Sequence, residues 1–274
     1  MMAIPTKLKI RLANLISRAL IPFVGNQKTV KRNGISWELD LTEAIDLSVF
    51  LFGRYQPHVL NQIKAAVPAD KPVIVDVGGN VGAISLSLLK ELPDATVYAF
   101  EPTDWAFGKF LRNVSLNPHL KTRLHLFQMF LNDGKTAAPD AVYASWNLNQ
   151  AGETHVSHGG SLKSASKATS ASLDAVISSN RPPAVHFIKI DTDGHEWDVL
   201  QGAKETLKTY KPVVLFEAGR DLWQEKNLTF SDFEAYFNHL GYELRYSNQR
   251  VTVNNEASLI PEGRTVDLTA LPVV

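Results

Sequence analysis

Apolar and polar positions follow two rhythms along this 274-residue chain. Near the N-terminus, Leu8, Leu12, Leu15, Ile16, Ala19 and Leu20 recur at helical spacing, which predicts an amphipathic helix. Trp37-Glu38-Leu39-Asp40-Leu41 alternates like a short half-buried strand, and residues 45–65 return to helical spacing, with Pro57 inside or opening a second helix. From residue 70 the character changes. Val73-Ile74-Val75-Asp76-Val77 is an apolar run ending in a glycine cluster, as in a parallel strand buried on both faces. A helix is predicted over 81–91 with Asn80 as its N-cap. Thr96–Phe100 reads as a strand, 103–115 as a helix and Arg123–Phe130 as a third strand. Residues 132–170, rich in Ser, Gly, Ala and Asn, show little periodicity and read as an irregular insertion of the kind that carries function. Val185–Ile190 is another buried strand, Val199, Leu200, Ala203 and Leu207 mark a helix, and Val213–Phe216 a strand. A helix over 230–240 and a strand at Tyr242–Tyr246 follow, with residues 250–260 the expected place for a last strand. Strands alternating with helices predict an α/β fold with a mainly parallel sheet. The chain divides into an extension over 1–70, packing on the core, and a domain over 71–274. Sheets of this kind bind ligands beyond the carboxyl ends of their strands.

Composition narrows the chemistry. No cysteine is present, which removes disulfides, thiolate zinc sites and a thiol nucleophile. Lys+Arg and Asp+Glu are both 28, and a net charge of zero argues against nucleic acid as a partner. No G-x-S-x-G elbow supports a hydrolase. The balance is not local, however. Residues 1–37 hold Lys7, Lys9, Arg11, Arg18, Lys28, Lys31 and Arg32, and no acid. Arg11 and Arg18 interrupt the apolar run and no small-residue cleavage site follows it, so a cytoplasmic location is expected. Two readings of residues 1–22 stay open: a helix packed on its own domain, or a basic helix lying on the anionic inner face of a membrane.

Asp76-Val77-Gly78-Gly79-Asn80-Val81-Gly82 joins the first sheet strand to its helix, and about twenty residues on, the next strand ends in Phe100-Glu101-Pro102. A carboxylate there can accept both ribose hydroxyls of a nucleoside. The nicotinamide-dinucleotide pattern G-x-G-x-x-G fails, because Asn80 stands where the second glycine admits the pyrophosphate. Asp76, just before the turn, would repel a diphosphate and suit a cationic amine. A nucleoside with an amino-acid tail and no phosphate, such as S-adenosylmethionine, fits better. Its adenine belongs beyond the third strand, near Met129, Phe130 and Leu131, with Asn132 and Asp133 available to the exocyclic amine.

A second motif runs through residues 186–217: Lys189, Asp191, Gly194, Glu196, Leu200, Gly202, Ala203, Pro212 and Glu217. With Asp76 to Gly82 and Glu101-Pro102, it resembles the FkbM family of S-adenosylmethionine-dependent methyltransferases over roughly residues 70–260, and Trp37–Phe52 looks like an extension found in some members. Asp193 replaces the family's usual glutamate and is one methylene shorter. The resemblance implies a Rossmann-like class I methyltransferase sheet of about seven strands, mostly parallel with the last antiparallel. It also implies methylation of a hydroxyl, often on glycosides, polyketides or other natural products. A saccharide or glycosylated molecule is the expected acceptor, a small natural product the alternative enzyme substrate, and a non-catalytic cofactor-binding scaffold the alternative class.

A hydroxyl must lose its proton as it is methylated, which calls for a general base or a metal. His195, directly after the fourth-strand loop, is one candidate base, and Asp191 at that strand's end can orient it, act as base or hold the cofactor's amino group. Asp193 and Glu196 also read as an N-cap with its capping-box partner. The competing mechanism uses magnesium held by Asp191 and Glu217 at the ends of neighbouring strands. Lys189 falls on the same strand face as Asp191 and can pair with it. In the insertion, Trp146, Asn147, Asn149, His155 and His158 are candidates for contact with a sugar.

Overall fold

Apolar runs too short for helices and flanked by glycine or proline settle into a parallel sheet, where both faces are covered. A computed structural model describes residues 6–144, 148 and 161–273. The extension comprises α1 (Thr6–Val24), β1 (Gln27–Arg32), β2 (Ile35–Asp40), α2 (Ala44–Phe52) and α3 (Pro57–Ala66). Next come β3 (Val73–Val77), α4 (Ala83–Glu91), β4 (Thr96–Phe100), α5 (Asp104–Ser115), α6 (Pro118–Lys121) and β5 (Leu124–Phe127). The middle region holds β6 (Met129–Leu131), β7 (Ala141–Ala144), β8 (Ser161–Ser164), β9 (Thr169–Ala171) and α7 (Leu173–Asn180). Then follow β10 (Phe187–Ile190), α8 (Glu196–Gln201), α9 (Lys204–Tyr210), β11 (Val213–Ala218), α10 (Arg220–Glu225) and α11 (Phe230–His239). The chain closes with β12 (Tyr242–Tyr246), β13 (Gln249–Arg250), α12 (Glu256–Leu259) and β14 (Val266–Pro272).

The main sheet has the order β13-β12-β14-β11-β10-β3-β4-β5. β3, β4, β5, β10 and β11 pair in parallel, while β14 inserts antiparallel between β11 and β12. The eighth strand, β13, adds only two residues at the edge. Chain direction across the sheet reverses between β3 and β10, and the crevice beyond their carboxyl ends is where such sheets take ligands.

Several predicted boundaries move. The third strand splits into β5 and β6, and β6 leaves the main sheet to pair with β9. The insertion is not irregular throughout: β7 and β8 form an antiparallel pair within it. The helix predicted through Leu207 breaks at Gly202, where an added Cβ would lie 1.9 Å from the Asn132 carbonyl oxygen. Residues 250–260 hold the short α12 rather than the last strand, which is β14. Asn80 is not the N-cap of α4; that position is Gly82, at φ 88°.

The sheet carries an apolar core on each face. One is closed by α7, α8, α9 and α11. The other is closed by α4, α5 and the extension, whose Trp37, Leu39, Leu47, Leu60 and Ile63 lie against Ile74, Val97 and Phe187 of the sheet. β1 covers one edge of β2, and two asparagines of α5 and its C-terminal turn cover the other. Asn113 Oδ1 accepts the Glu38 N–H at 2.8 Å, while Asn117 exchanges two bonds with Ser36, at 2.9 and 2.7 Å.

Candidate functional site

Two clefts meet at the carboxyl ends of β3 and β10. The first spans about 510 Å³, the open solvent at its mouth included, and is lined by Phe100, Glu101, Pro102, Met129, Phe130, Leu131, Val142 and His195. The second, about 1350 Å³, is walled by Ala13, Ile45, Ser48, Phe52, Tyr55 and Gln56 of the extension and by Lys189 and Glu217 of the sheet. Gly78, Asn80, Asp191 and Asp193 line both.

The glycine turn is shaped by packing. A Cβ on Gly78 would meet the Asp191 carbonyl oxygen at 1.8 Å, and one on Gly82 would meet the Phe110 ring at 2.4 Å. Its backbone donors are already engaged. Gly78 and Gly79 both donate to the Phe100 carbonyl at 2.9 Å, and Asn80 donates to Glu101 Oε2 at 2.9 Å. Val81 donates to Asn80 Oδ1, and Gly82 to the Gly79 carbonyl. A diphosphate binds by taking such N–H groups, so this turn has no cradle for one at residues 78–82.

Glu101 is 4% exposed. Its Oε1 accepts the Thr103 N–H at 2.9 Å and hydroxyl at 2.5 Å. Burial raises its pKa, against the pull of these bonds and of Lys189. Counting the Asn80 bond, three donors occupy a carboxylate with about four acceptor sites, which leaves capacity toward the cleft it lines.

Asp76 stands elsewhere than the sequence suggested. It is fully buried, lines neither cleft, accepts the Ser85 hydroxyl at 2.5 Å and pairs with Lys189 at 3.2 Å. The register sets Lys189 directly opposite Asp76 across β3 and β10, and the ammonium also lies 3.6 Å from Asp191. Burial opposes that charge, but Asp76 and Asp191 outweigh it and hold the lysine pKa above its ordinary range. The predicted Lys189–Asp191 pairing is present; Asp76 takes the nearer share.

Asp193 is not an N-cap. It sits at φ 51°, His195 is the residue that precedes α8, and Asp193 lines both clefts and a third beside Lys226. Glu196 does fasten the loop, its Oε1 accepting the Thr192 N–H and hydroxyl at 2.9 Å and the Gly194 N–H at 3.2 Å. Desolvation, then the charges of Asp191, Glu196 and Glu101, push the Asp193 pKa well above the usual carboxylate range. Glu217 is raised in the same way, by desolvation and then by Asp191 and Asp193. The Tyr55 hydroxyl is raised by desolvation and then by Asp191, Asp193, Glu217 and Asp267. Asp191 and Glu217 do share one cleft, as their strand positions predicted, yet among the described residues no three His, Asp or Glu side chains are grouped to hold a metal.

His195 belongs to the first cleft. Its ring meets Phe130 edge-on at 5.0 Å, and Nδ1 lies 2.9 Å from Asp198, which also pairs with Lys226 at 2.5 Å. Burial opposes the Asp198 charge, but His195 and Lys226 keep its pKa below the usual range. Lys226 Nζ lies 3.1 Å from the same Nδ1, which therefore donates to Asp198 in one tautomer and accepts from the ammonium in the other; in the first, Nε2 is the acceptor, and it has no partner among the described residues. The orienting acid is therefore Asp198 and not Asp191. Met129, Phe130 and Leu131 lie where the adenine was expected. Asn132 and Asp133 do not face it: they hold the following turn through Gly134, Lys135 and Thr136. Trp146, Asn147, Asn149, His155 and His158 lie outside the described residues.

Strand order, the antiparallel β14 and a glycine turn answered by an acid at the next strand's end define a Rossmann-like α/β protein of the class I methyltransferase arrangement. Residues 76–244 match the profile of the methyltransferase FkbM domain, and the chain belongs to that family. Methyltransferase 1 of Beauveria bassiana (strain ARSEF 2860) is 28% identical over 149 residues, 48% of this chain and 59% of that protein. Methyltransferase sdnD of Sordaria araneosa is 41% identical over 49 residues, 18% of this chain and 19% of its own. The crystal structure of methyltransferase FkbM from Methylobacillus flagellatus KT superposes with a TM-score of 0.45 at 15% identity, over 74% of this chain and 44% of that one. The chain thus spans 59% of the first relative's length and 44% of the crystallised chain's.

Proposed function

We propose that this chain transfers a methyl group from S-adenosylmethionine to a hydroxyl of a saccharide or glycosylated molecule. The observation that carries the reading is the meeting of two clefts over Gly78, Asn80, Asp191 and Asp193, because a transfer between two substrates needs sites that touch. The residues of the first cleft fit the cofactor. Met129, Phe130, Leu131 and Pro102 offer an apolar slot for a base, Glu101 has about one acceptor site left for a ribose hydroxyl, and Asp191 offers its carboxylate to an ammonium. When bound, S-adenosylmethionine supplies a methyl group already activated on a sulfonium.

The chain's own task is to seat the acceptor and take its proton. As the acceptor oxygen bonds the methyl carbon, the carbon–sulfur bond breaks and the hydroxyl proton leaves to a base. Asp193 is that base in this reading: it borders both clefts and a third beside Lys226, and its raised pKa makes its carboxylate a better proton acceptor than an ordinary aspartate. Ser48, Gln56, Tyr55 and Glu217 offer the second cleft the mixed donors and acceptors that sugar hydroxyls use.

Titration calorimetry with S-adenosylhomocysteine, followed by methyl transfer from labelled S-adenosylmethionine to a panel of glycosides, tests the proposal. Binding is expected, and Glu101→Ala is expected to weaken it about 10- to 100-fold, the worth of one hydrogen bond to a charged group. Tighter binding of NADH would return the site to a dinucleotide. Binding without turnover across the panel would leave a scaffold.

A further inference from the structure

Helix α1 is apolar on two sides. Its inner side is accounted for: Ala13, Leu20, Ile21 and Val24 pack on the core, and the buried Ser17 donates its hydroxyl to the Leu41 carbonyl at 2.7 Å. The opposite side is not. Leu15 is 65% exposed, Ile16 41% and Phe23 88%, and Ala19 and Pro22 are exposed between them. The spacing 15, 16, 19, 22, 23 is a single helical stripe facing solvent. Scattered exposed apolar residues need no explanation, but a continuous stripe marks a surface that something covers.

The surrounding charge says what covers it. Residues 1–37 carry seven Lys and Arg and no acid, in a chain whose total charge is zero. Arg18 is exposed on the same helix as the stripe. A second copy of the chain would bring the same cations against each other. An anionic bilayer attracts them while accepting the apolar side chains. Among the described residues no helix is long and apolar enough to cross a membrane, so a bilayer contact through α1 would be one at the surface.

We infer that α1 docks this chain on an anionic phospholipid bilayer, with Leu15, Ile16 and Phe23 entering the boundary between headgroups and acyl chains and Arg18 pairing with lipid phosphate. Ala13 of α1 and Phe52 of α2, the latter 72% exposed, also line the second cleft. Because α1 walls that cleft from within, docking by its outer side would, on the methyltransferase reading, favour acceptors with a lipid anchor.

Vesicle flotation of the full chain tests the docking separately from cofactor binding. With vesicles of phosphatidylcholine plus phosphatidylglycerol the protein is expected to float, and with phosphatidylcholine alone to stay at the bottom. Leu15→Ser with Phe23→Ser, and separately Arg18→Glu, should each lower partitioning about tenfold or more. These side chains are exposed, so the melting temperature and the affinity for S-adenosylhomocysteine should not change. Recovery at the bottom with both vesicle types overturns the inference, as does equal flotation of the double variant or indifference to phosphatidylglycerol. A dimer in the absence of vesicles that the double variant converts to monomer would assign the stripe to a second copy instead. Loss of cofactor binding with flotation intact would count against the methyltransferase reading alone.

Discussion

Asp193 shows how much one side chain's surroundings decide. It sits at φ 51° in a loop that Glu196 fastens, and desolvation, then the charges of Asp191, Glu196 and Glu101, raise its pKa against the pull of Lys189. A carboxyl so placed keeps its proton to higher pH than an ordinary aspartate. The sign follows directly. A base must be unprotonated, so turnover should fall as pH drops through the raised pKa, and the fall should begin above the usual carboxylate range. Asp193→Asn should cost about 10²- to 10⁴-fold in kcat and abolish that acid limb, while S-adenosylhomocysteine affinity holds. His195→Ala should keep the limb. The reverse pattern would hand the proton to His195, whose Asp198 partner equips it as a base on the other side of the junction. Stability carries the same signature. A carboxyl whose folded pKa is raised binds its proton better folded than unfolded, so it costs stability as pH rises from the ordinary range toward the raised one.

Between elements, the closest approach at the site is that of the β3–α4 turn to the end of β10. Gly78, at φ 78°, leaves no room for a Cβ against the Asp191 carbonyl. Gly25, at φ 76° after α1, has nothing within 4 Å of where its Cβ would stand. Gly25→Ala should therefore lose only the left-handed strain of about 1–2 kcal/mol. Gly78→Ala should lose about 1–3 kcal/mol more from overpacking, and should weaken S-adenosylhomocysteine binding because the Asp191 end must move. Urea unfolding of both variants, with calorimetry, checks the difference. The sequence carried these elements unevenly. Buried strands such as β3 and β11 announce themselves, because a run of Val, Ile, Leu and Phe between turn residues has few other uses. The hairpin of β1 and β2 was also written in Asn33-Gly34, both at positive φ, but Lys28, Lys31 and Arg32 disguise its first strand as a polar stretch. β14 carries Asp267 and a terminal Pro272, and only its insertion between β11 and β12 makes it a central strand. At the site, motif spacing singled out Gly78, Glu101 and Asp191 because each follows directly on a buried strand, and all three line the first cleft. Spacing could not see Tyr55 or Lys226, which stand outside those motifs, nor that Lys189 claims Asp76.

Across the whole molecule, the extension is part of one of the two cores and not an appendage. Its Trp37, Leu39 and Leu60 are at most 1% exposed, and with α4 and α5 they close one face of the sheet. Polar ties lock it on: Asn113 and Asn117 complete the β2 edge, Arg112 pairs with Glu38 at 2.7 Å, and the buried Lys109 holds the buried Asp46. Because the two cores share one sheet, neither face can unfold and leave the other intact. Urea unfolding followed by far-ultraviolet circular dichroism and by tryptophan fluorescence should therefore give one transition with coincident midpoints. Leu60→Ala in the extension should lower stability by about 2–5 kcal/mol, and Phe237→Ala in the opposite core by about 3–5 kcal/mol, each moving both probes together. A chain beginning at residue 71 should be markedly less stable and lose a sharp transition, since the face made by Ile74, Val97 and Phe187 would keep only α4 and α5 of its cover. An early fluorescence change in the Leu60→Ala variant, with circular dichroism lagging behind, would mean that the extension detaches as a unit. The second cleft, walled by that extension, would then be built and dismantled independently of the sheet that supplies its acids.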